Sequence, residues 1–119
     1  MAIEVQSRGA GRFLISCTGE LEWTARTDIV ELFQAQMGEE SLSMVVLDLT
    51  RVSYINSAGI GAIFSLRQYI HNLGGDFVIT RPTPSVERIL SVAGVLKIIT
   101  VIESVETAWM DHNPQPAQY

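Results

Sequence analysis

A buried strand that leads directly into a helix is the feature that most constrains the fold of this chain. The residues from Met44 to Leu49 form a nearly continuous apolar run, which is typical of a strand covered on both faces. Ser57-Ala58-Gly59 follows, and apolar residues then recur at helical spacing as far as Leu73. Such a strand needs helices above and below it, so we expect it in the middle of an α/β sheet.

The flanking segments predict the rest of that sheet. Short β-branched runs at 2–5 and 12–18, separated by glycines, indicate a β-hairpin. The remaining elements are expected in chain order as a helix capped by Thr24 or Thr27 and ended by Gly38, the helix from Ser57 closed by Gly74-Gly75, a strand at 76–80, a short helix between Pro84 and Gly94, a strand at 96–102 and a terminal helix at 104–110. The predicted fold class is α/β, with a mixed sheet of four to five strands, mostly parallel after the hairpin, covered by about four helices.

The size of the chain suits one domain. With 119 residues, of which 47% are apolar, it can bury a single core. The last segment, 112–119, has two prolines and almost no apolar side chains, which predicts a disordered tail. Residues 1–111 are therefore expected to form the domain.

The charge and the cysteine content narrow the expected partners and location. Thirteen Asp and Glu against eight Lys and Arg give a formal charge of −5, which repels nucleic-acid phosphates and anionic membranes. Cys17 is the single cysteine and lies on the apolar side of its strand, so we expect it in the core of a reduced, cytoplasmic protein. No segment resembles a signal peptide or a membrane span. The sequence thus predicts no nucleic-acid partner and no membrane partner.

Ser57 is the candidate functional residue because it is expected at the start of a helix. The first backbone N–H groups of a helix lack intrahelical acceptors, so a hydroxyl or a phosphate is favoured there. Asn56 can hydrogen-bond in the preceding turn, and Gly59 and Gly61 would let another surface approach the first helical turn closely. From these residues alone, Ser57 is either a regulated phosphosite or an ordinary N-cap worth about 1 kcal/mol.

The sequence offers no catalytic set. Ser57 and His71 lie 14 residues apart on one predicted helix, which separates them by about 21 Å. A triad with Asp48 is therefore excluded, and a Gly-x-Gly pattern alone is a weak indication of nucleotide binding. We expect a protein that is not an enzyme and that needs neither cofactor nor metal.

Five motifs follow one another in an order that identifies a family resemblance. They are Gly19-Glu20-Leu21-Glu22, Leu47-Asp48-Leu49, Asn56-Ser57-Ala58-Gly59-Ile60-Gly61, Gly74-Gly75 and Ser91-Val92-Ala93-Gly94-Val95. Between about Gly9 and Glu106 the chain resembles the STAS domains, and within them the anti-sigma factor antagonists of bacterial sigma-factor partner switching.

The resemblance implies a protein-binding phospho-switch. In that family the serine at the position of Ser57 is phosphorylated by an anti-sigma factor that is itself a serine kinase. The unphosphorylated antagonist binds this kinase and releases the sigma factor, and a PP2C-like phosphatase restores the active form. Asn56 and Ala58 stand where the commonest pattern has Asp before the serine and Ser or Thr after it, so Ser57 is the one hydroxyl at this point.

The expected kinase-binding surface has three parts. They are the loop of Glu22, Trp23 and Thr24, the turn of Tyr54, Asn56 and Ser57, and the first helical turn with Ala58, Gly59 and Gly61. Glu22 keeps the charge of the Asp that the family often has there, and Trp23 is either an interface anchor or a core residue. An alternative keeps the fold without the switch: a non-phosphorylated STAS scaffold, or a ligand-sensing subunit of a signalling or lipid-transport assembly.

Overall fold

Five strands and four α-helices make up the computed structural model, which describes residues 2–21 and 29–111. In chain order they are β1 (Ala2–Gly9), β2 (Arg12–Leu21), α1 (Ile29–Met37), β3 (Met44–Ile55), α2 (Ser57–Asn72), β4 (Asp76–Thr80), α3 (Pro84–Val92), β5 (Thr100–Ile102) and α4 (Val105–Asp111). The sheet has the order β1-β2-β3-β4-β5, with β1 antiparallel to β2 and the other neighbours parallel. This confirms the predicted α/β class and places the expected central strand in the middle.

Two apolar clusters lie on opposite faces of the sheet, because successive residues of a strand face opposite ways. Phe13, Ile15 and Cys17 of β2 belong to the larger cluster, which also takes the buried faces of α1, α2 and α3. Leu14 of β2 belongs to the smaller one, with Ala108 of α4. Within the described residues, three helices therefore cover one face, and α4 packs on the other.

Strand β3 continues past its predicted end at Leu49 to Ile55, so the segment expected to connect strand and helix is itself mostly strand. Val52 and Ile55 are both buried, three residues apart rather than two. The spacing reflects a register shift against β2 between Gly19 and Glu20. Such an irregularity breaks the alternation that marks a strand in a sequence.

The predicted strand at 96–102 is wrong in its first half. Residues Val95–Lys97 form a short 3₁₀ turn, and β5 begins only at Thr100. Val95 and Ile99 are both buried, and the Ile99 N–H donates to the Val95 carbonyl at 2.9 Å. Burial at a spacing of four residues favours a helical turn over an extended strand. The proposed caps Thr24 and Thr27 lie outside the described residues.

Candidate functional site

Ser57 is the first residue of α2, directly after β3. Its side chain is exposed and makes no hydrogen bond within residues 2–21 and 29–111. The strand holds the residue in place from one side and the helix from the other, while the hydroxyl itself stays accessible. The structure thus confirms the predicted location of Ser57 at the start of the helix.

Asn56, not Ser57, caps this helix. Asn56 has extended backbone angles, φ −99° and ψ 178°, and its Oδ1 accepts a hydrogen bond from the Gly59 N–H at 2.8 Å. Its carbonyl accepts the first helical bond, from the Ile60 N–H at 3.0 Å. The interpretation of Ser57 as the N-cap is therefore wrong, because the residue before it has the geometry and the acceptor that a cap requires.

The N-terminus of α2 offers unused donors beside the hydroxyl. The backbone N–H groups of Ser57 and Ala58 have no acceptor in the part of the chain that the structure describes, and the first turn contains no acidic side chain. Helix α2 is 16 residues long, so its dipole gives this end a partial positive charge. An anionic group attached to the Ser57 oxygen would meet donors and favourable potential.

The other predicted surface residues divide into three groups. Tyr54 is 44% exposed and belongs to β3 rather than to a turn. Ala58 and Gly61 are exposed next to Ser57, whereas Gly59 is buried and so lies on the inner side of the first turn. The structure therefore corrects the idea that Gly59 offers a surface for close approach. Glu22, Trp23 and Thr24 lie outside the described residues.

The other reactive side chains that the sequence analysis considered do not join Ser57 in the described parts of the chain. His71 lies in the last turn of α2, at the far end of the helix from Ser57. Burial, with a smaller contribution from the charge of Asp48, raises the pKa of Cys17 to about 12, which keeps this thiol protonated at neutral pH. Among residues 2–21 and 29–111 no cluster of His, Cys, Asp or Glu has the make-up of a metal site. The helices found there are too short or too polar to cross a membrane.

A polar link between β3 and β4 was missed by the sequence analysis. Thr80 is fully buried; its Oγ1 accepts from the Leu49 N–H at 2.8 Å and donates to Asp48 Oδ1 at 3.1 Å. The available signal was a carboxylate inside one apolar run and a hydroxyl at the end of the next. Such a pair in neighbouring strands indicates a hydrogen bond across the sheet.

Comparisons with known proteins agree on one family. The family model described as the STAS domain matches residues 3–108. A protein of Bordetella bronchiseptica, BtrV, which is named as an anti-sigma factor antagonist, is 30% identical over 95 residues, covering 80% of this chain and 82% of BtrV.

Solved structures share the fold at lower identity. The anti-sigma factor antagonist SpoIIAA in its unphosphorylated form matches with a TM-score of 0.70 at 16% identity, covering 93% of this chain and 96% of SpoIIAA. The murine solute carrier 26 family member A9, an anion transporter, matches with a TM-score of 0.75 at 19% identity. That match covers 90% of this chain but only 19% of the transporter.

Proposed function

This chain belongs to the STAS domain family, and on that premise we propose that it is an anti-sigma factor antagonist controlled by phosphorylation of Ser57. With Ser57 unmodified, it binds an anti-sigma factor that is a serine kinase, and the sigma factor is released. The kinase ends this binding by phosphorylating Ser57, and a PP2C-like phosphatase reverses the modification. The chain acts as a binding protein and carries out no reaction itself.

The Ser57 hydroxyl carries the proposal, because it is exposed and has no structural task among the described residues. Asn56 supplies the cap through the bond from the Gly59 N–H. A phosphate on Ser57 adds about −1.5 to −2 charges and three acceptor oxygens. The N–H groups of Ser57 and Ala58, which have no acceptor among the described residues, can donate to those oxygens, so the modified helix end stays folded.

The same phosphate changes what a partner meets at this surface. Tyr54, Ala58 and Gly61 are exposed, lie within four residues of Ser57 in the chain and add contact area without charged side chains. A partner that desolvates this area, or that brings acidic groups to it, is repelled by the added charge. A coupling of about 3 kcal/mol corresponds to a change in affinity on the order of a hundredfold. We propose that Glu22, Trp23 and Thr24 complete the contact.

Mass spectrometry of the protein isolated from its native cells tests the modification. We expect a single phosphate on Ser57 and none on a Ser57→Ala variant expressed in parallel. A Ser57 that stays unmodified through growth and stress would contradict the switch. It would favour a scaffold role, for which the likeness to a segment of the solute carrier is the supporting observation.

Binding to purified anti-sigma kinases from the source genome tests the consequence. We expect Ser57→Ala to bind one of them like the unmodified protein, and Ser57→Asp to bind it on the order of a hundredfold more weakly. Ser57→Asn matches Asp in size without the charge, so it should lose much less affinity. Equal binding by the Asp and Ala variants would contradict control by charge at Ser57.

A further inference from the structure

Among the residues that the structure describes, those of α4 cover only part of the second face of the sheet, and a cleft lies beside the covered part. Helix α4 packs over Leu14, Met44, Val46 and Val78. Beyond these residues, toward the carboxyl ends of β2 and β3, the structure has a cleft of about 460 Å³. Its polar lining comes from three strands: Glu4, Ser16, Thr18, Asp48, Thr50 and Arg51. The volume is within the range of small-molecule sites, about 300 to 1,000 Å³.

Asp48 is held rigidly at this cleft. Its Oδ1 accepts three hydrogen bonds: from the Thr50 N–H at 3.0 Å, from the Thr50 hydroxyl at 2.7 Å and from the Thr80 hydroxyl at 3.1 Å. Thr80 is itself fully buried, so the carboxylate is anchored to the core. The Oδ2 atom receives no hydrogen bond from the described residues. A carboxylate fixed by one oxygen and open at the other is a preorganised acceptor.

Two further charges line the cleft without being paired. Glu4 comes from β1 and Arg51 from β3, and within residues 2–21 and 29–111 neither makes an ion pair. Asp48, Glu4 and Arg51 together give the cleft two carboxylates and one guanidinium, arranged around hydroxyl groups. The complementary ligand has two cationic groups and one carboxylate. A free amino acid with a basic side chain has this combination.

We propose that this cleft is a binding site for a basic amino acid. The α-carboxylate of the amino acid pairs with Arg51. Its α-ammonium and its cationic side chain pair with Asp48 and Glu4, while Ser16 and Thr50 supply further hydrogen bonds. The inference does not rest on the function proposed for Ser57, since it involves neither that residue nor the kinase-binding surface.

Titration of the ¹⁵N-labelled protein with L-lysine, followed by amide chemical shifts, tests the proposal. Three analogues each lack one charged group: cadaverine has no carboxylate, 6-aminohexanoate no α-ammonium and norleucine no side-chain ammonium. We expect saturable shifts for lysine at Ser16, Asp48, Thr50 and Arg51, and binding of each analogue weakened by about tenfold or more. Absence of saturable shifts with both L-lysine and L-arginine at about 10 mM would overturn the proposal.

Variants that each remove one charge assign the contacts. Asp48→Asn and Glu4→Gln should each weaken lysine binding by about tenfold. Glu4 is an exposed side chain of an edge strand, so its variant keeps the fold even if Asp48→Asn does not. Arg51→Gln should weaken binding of lysine but not of cadaverine. Lysine shifts that persist unchanged in Glu4→Gln and Arg51→Gln would contradict the assignment of this cleft.

Discussion

A single residue at a helix start often both caps the helix and presents a hydroxyl to solvent. Here the two roles belong to different residues, Asn56 and Ser57. Asn56 provides the acceptor for the Gly59 N–H, whereas the Ser57 side chain makes no hydrogen bond among the described residues. Because the cap is separate, the hydroxyl can be modified without removing a bond that the helix needs. The unusual Asn before the serine is thus compatible with a phosphosite, since its amide oxygen caps as a carboxylate would.

Substitutions at these two positions should differ in their effect on stability. Asn56→Ala should lower the free energy of unfolding by about 1 kcal/mol, because the Gly59 N–H loses its acceptor. Ser57→Ala should change it by less than about 0.5 kcal/mol. Urea unfolding of both variants measures this, with Asn56→Asp as the control that retains an acceptor. A larger loss for Ser57→Ala than for Asn56→Ala would contradict the assignment of the cap.

Cys17 should give the stability a dependence on alkaline pH. Folding raises the pKa of this thiol from 9.0 to about 12, mainly through burial. The folded protein therefore keeps a proton that the unfolded chain loses above about pH 9, so the free energy of unfolding falls as the pH rises toward 12. Relative to Cys17→Ala, the wild type should lose roughly 2 kcal/mol between about pH 8 and about pH 10.5. Parallel pH profiles from urea unfolding would contradict this.

The helices and strands whose apolar residues keep one regular spacing were predicted well. Those in which this spacing is interrupted were not. Helix α2 has apolar residues at helical spacing and ends at Asn72, shortly before Gly74, whose φ of +82° suits glycine. Strand β3 was predicted too short because its register shifts against β2. Part of the turn at Val95–Lys97 was predicted as strand because the segment 96–102 is a mostly apolar run rich in Ile and Val, although the residues buried at the turn are Val95 and Ile99. The local sequence pattern cannot show which of two groups of apolar residues becomes buried in the folded protein.

The β1–β2 turn contains two glycines that should tolerate substitution very differently. Gly9 and Gly11 both have positive φ, +81° and +76°. A Cβ on Gly11 would collide with the Ser41 carbonyl oxygen and come within 3.0 Å of the Ser43 nitrogen, whereas Gly9 faces open space. Gly9→Ala should cost about 1 kcal/mol of unfolding free energy for backbone strain, and Gly11→Ala at least about 2 kcal/mol more. Thermal and urea unfolding compare the pair, and equal losses would contradict a close contact between the hairpin and the loop before β3.

Across the whole molecule, the class of the sheet and its central strand followed from the sequence, but the surface shape did not. The hairpin and the alternation of strands with helices predicted a mixed sheet with β3 at its centre. The cleft beside Asp48 depends on the register of three strands, including the shift after Ser16, and on how far α4 extends over the sheet. No single segment encodes that arrangement, so Glu4 and Arg51 could not be brought together from the sequence.

Two truncations test how the C-terminal part supports the domain. Ending the chain after Asp111 removes only 112–119, the predicted tail, and should change the free energy of unfolding by less than about 0.5 kcal/mol. Ending it after Ser104 removes α4, whose residues Val105, Ala108 and Trp109 cover the smaller apolar cluster.

That second truncation exposes apolar side chains of three strands to water, including the fully buried Val46. The expected loss is about 3 to 5 kcal/mol, because the burial of several apolar groups is undone at once. Urea unfolding measures the loss, and increased binding of a hydrophobic dye should accompany it. A chain ending at Ser104 that is as stable as the one ending at Asp111 would mean that the sheet keeps this face intact without α4. The domain boundary would then lie before Val105 instead of after Asp111.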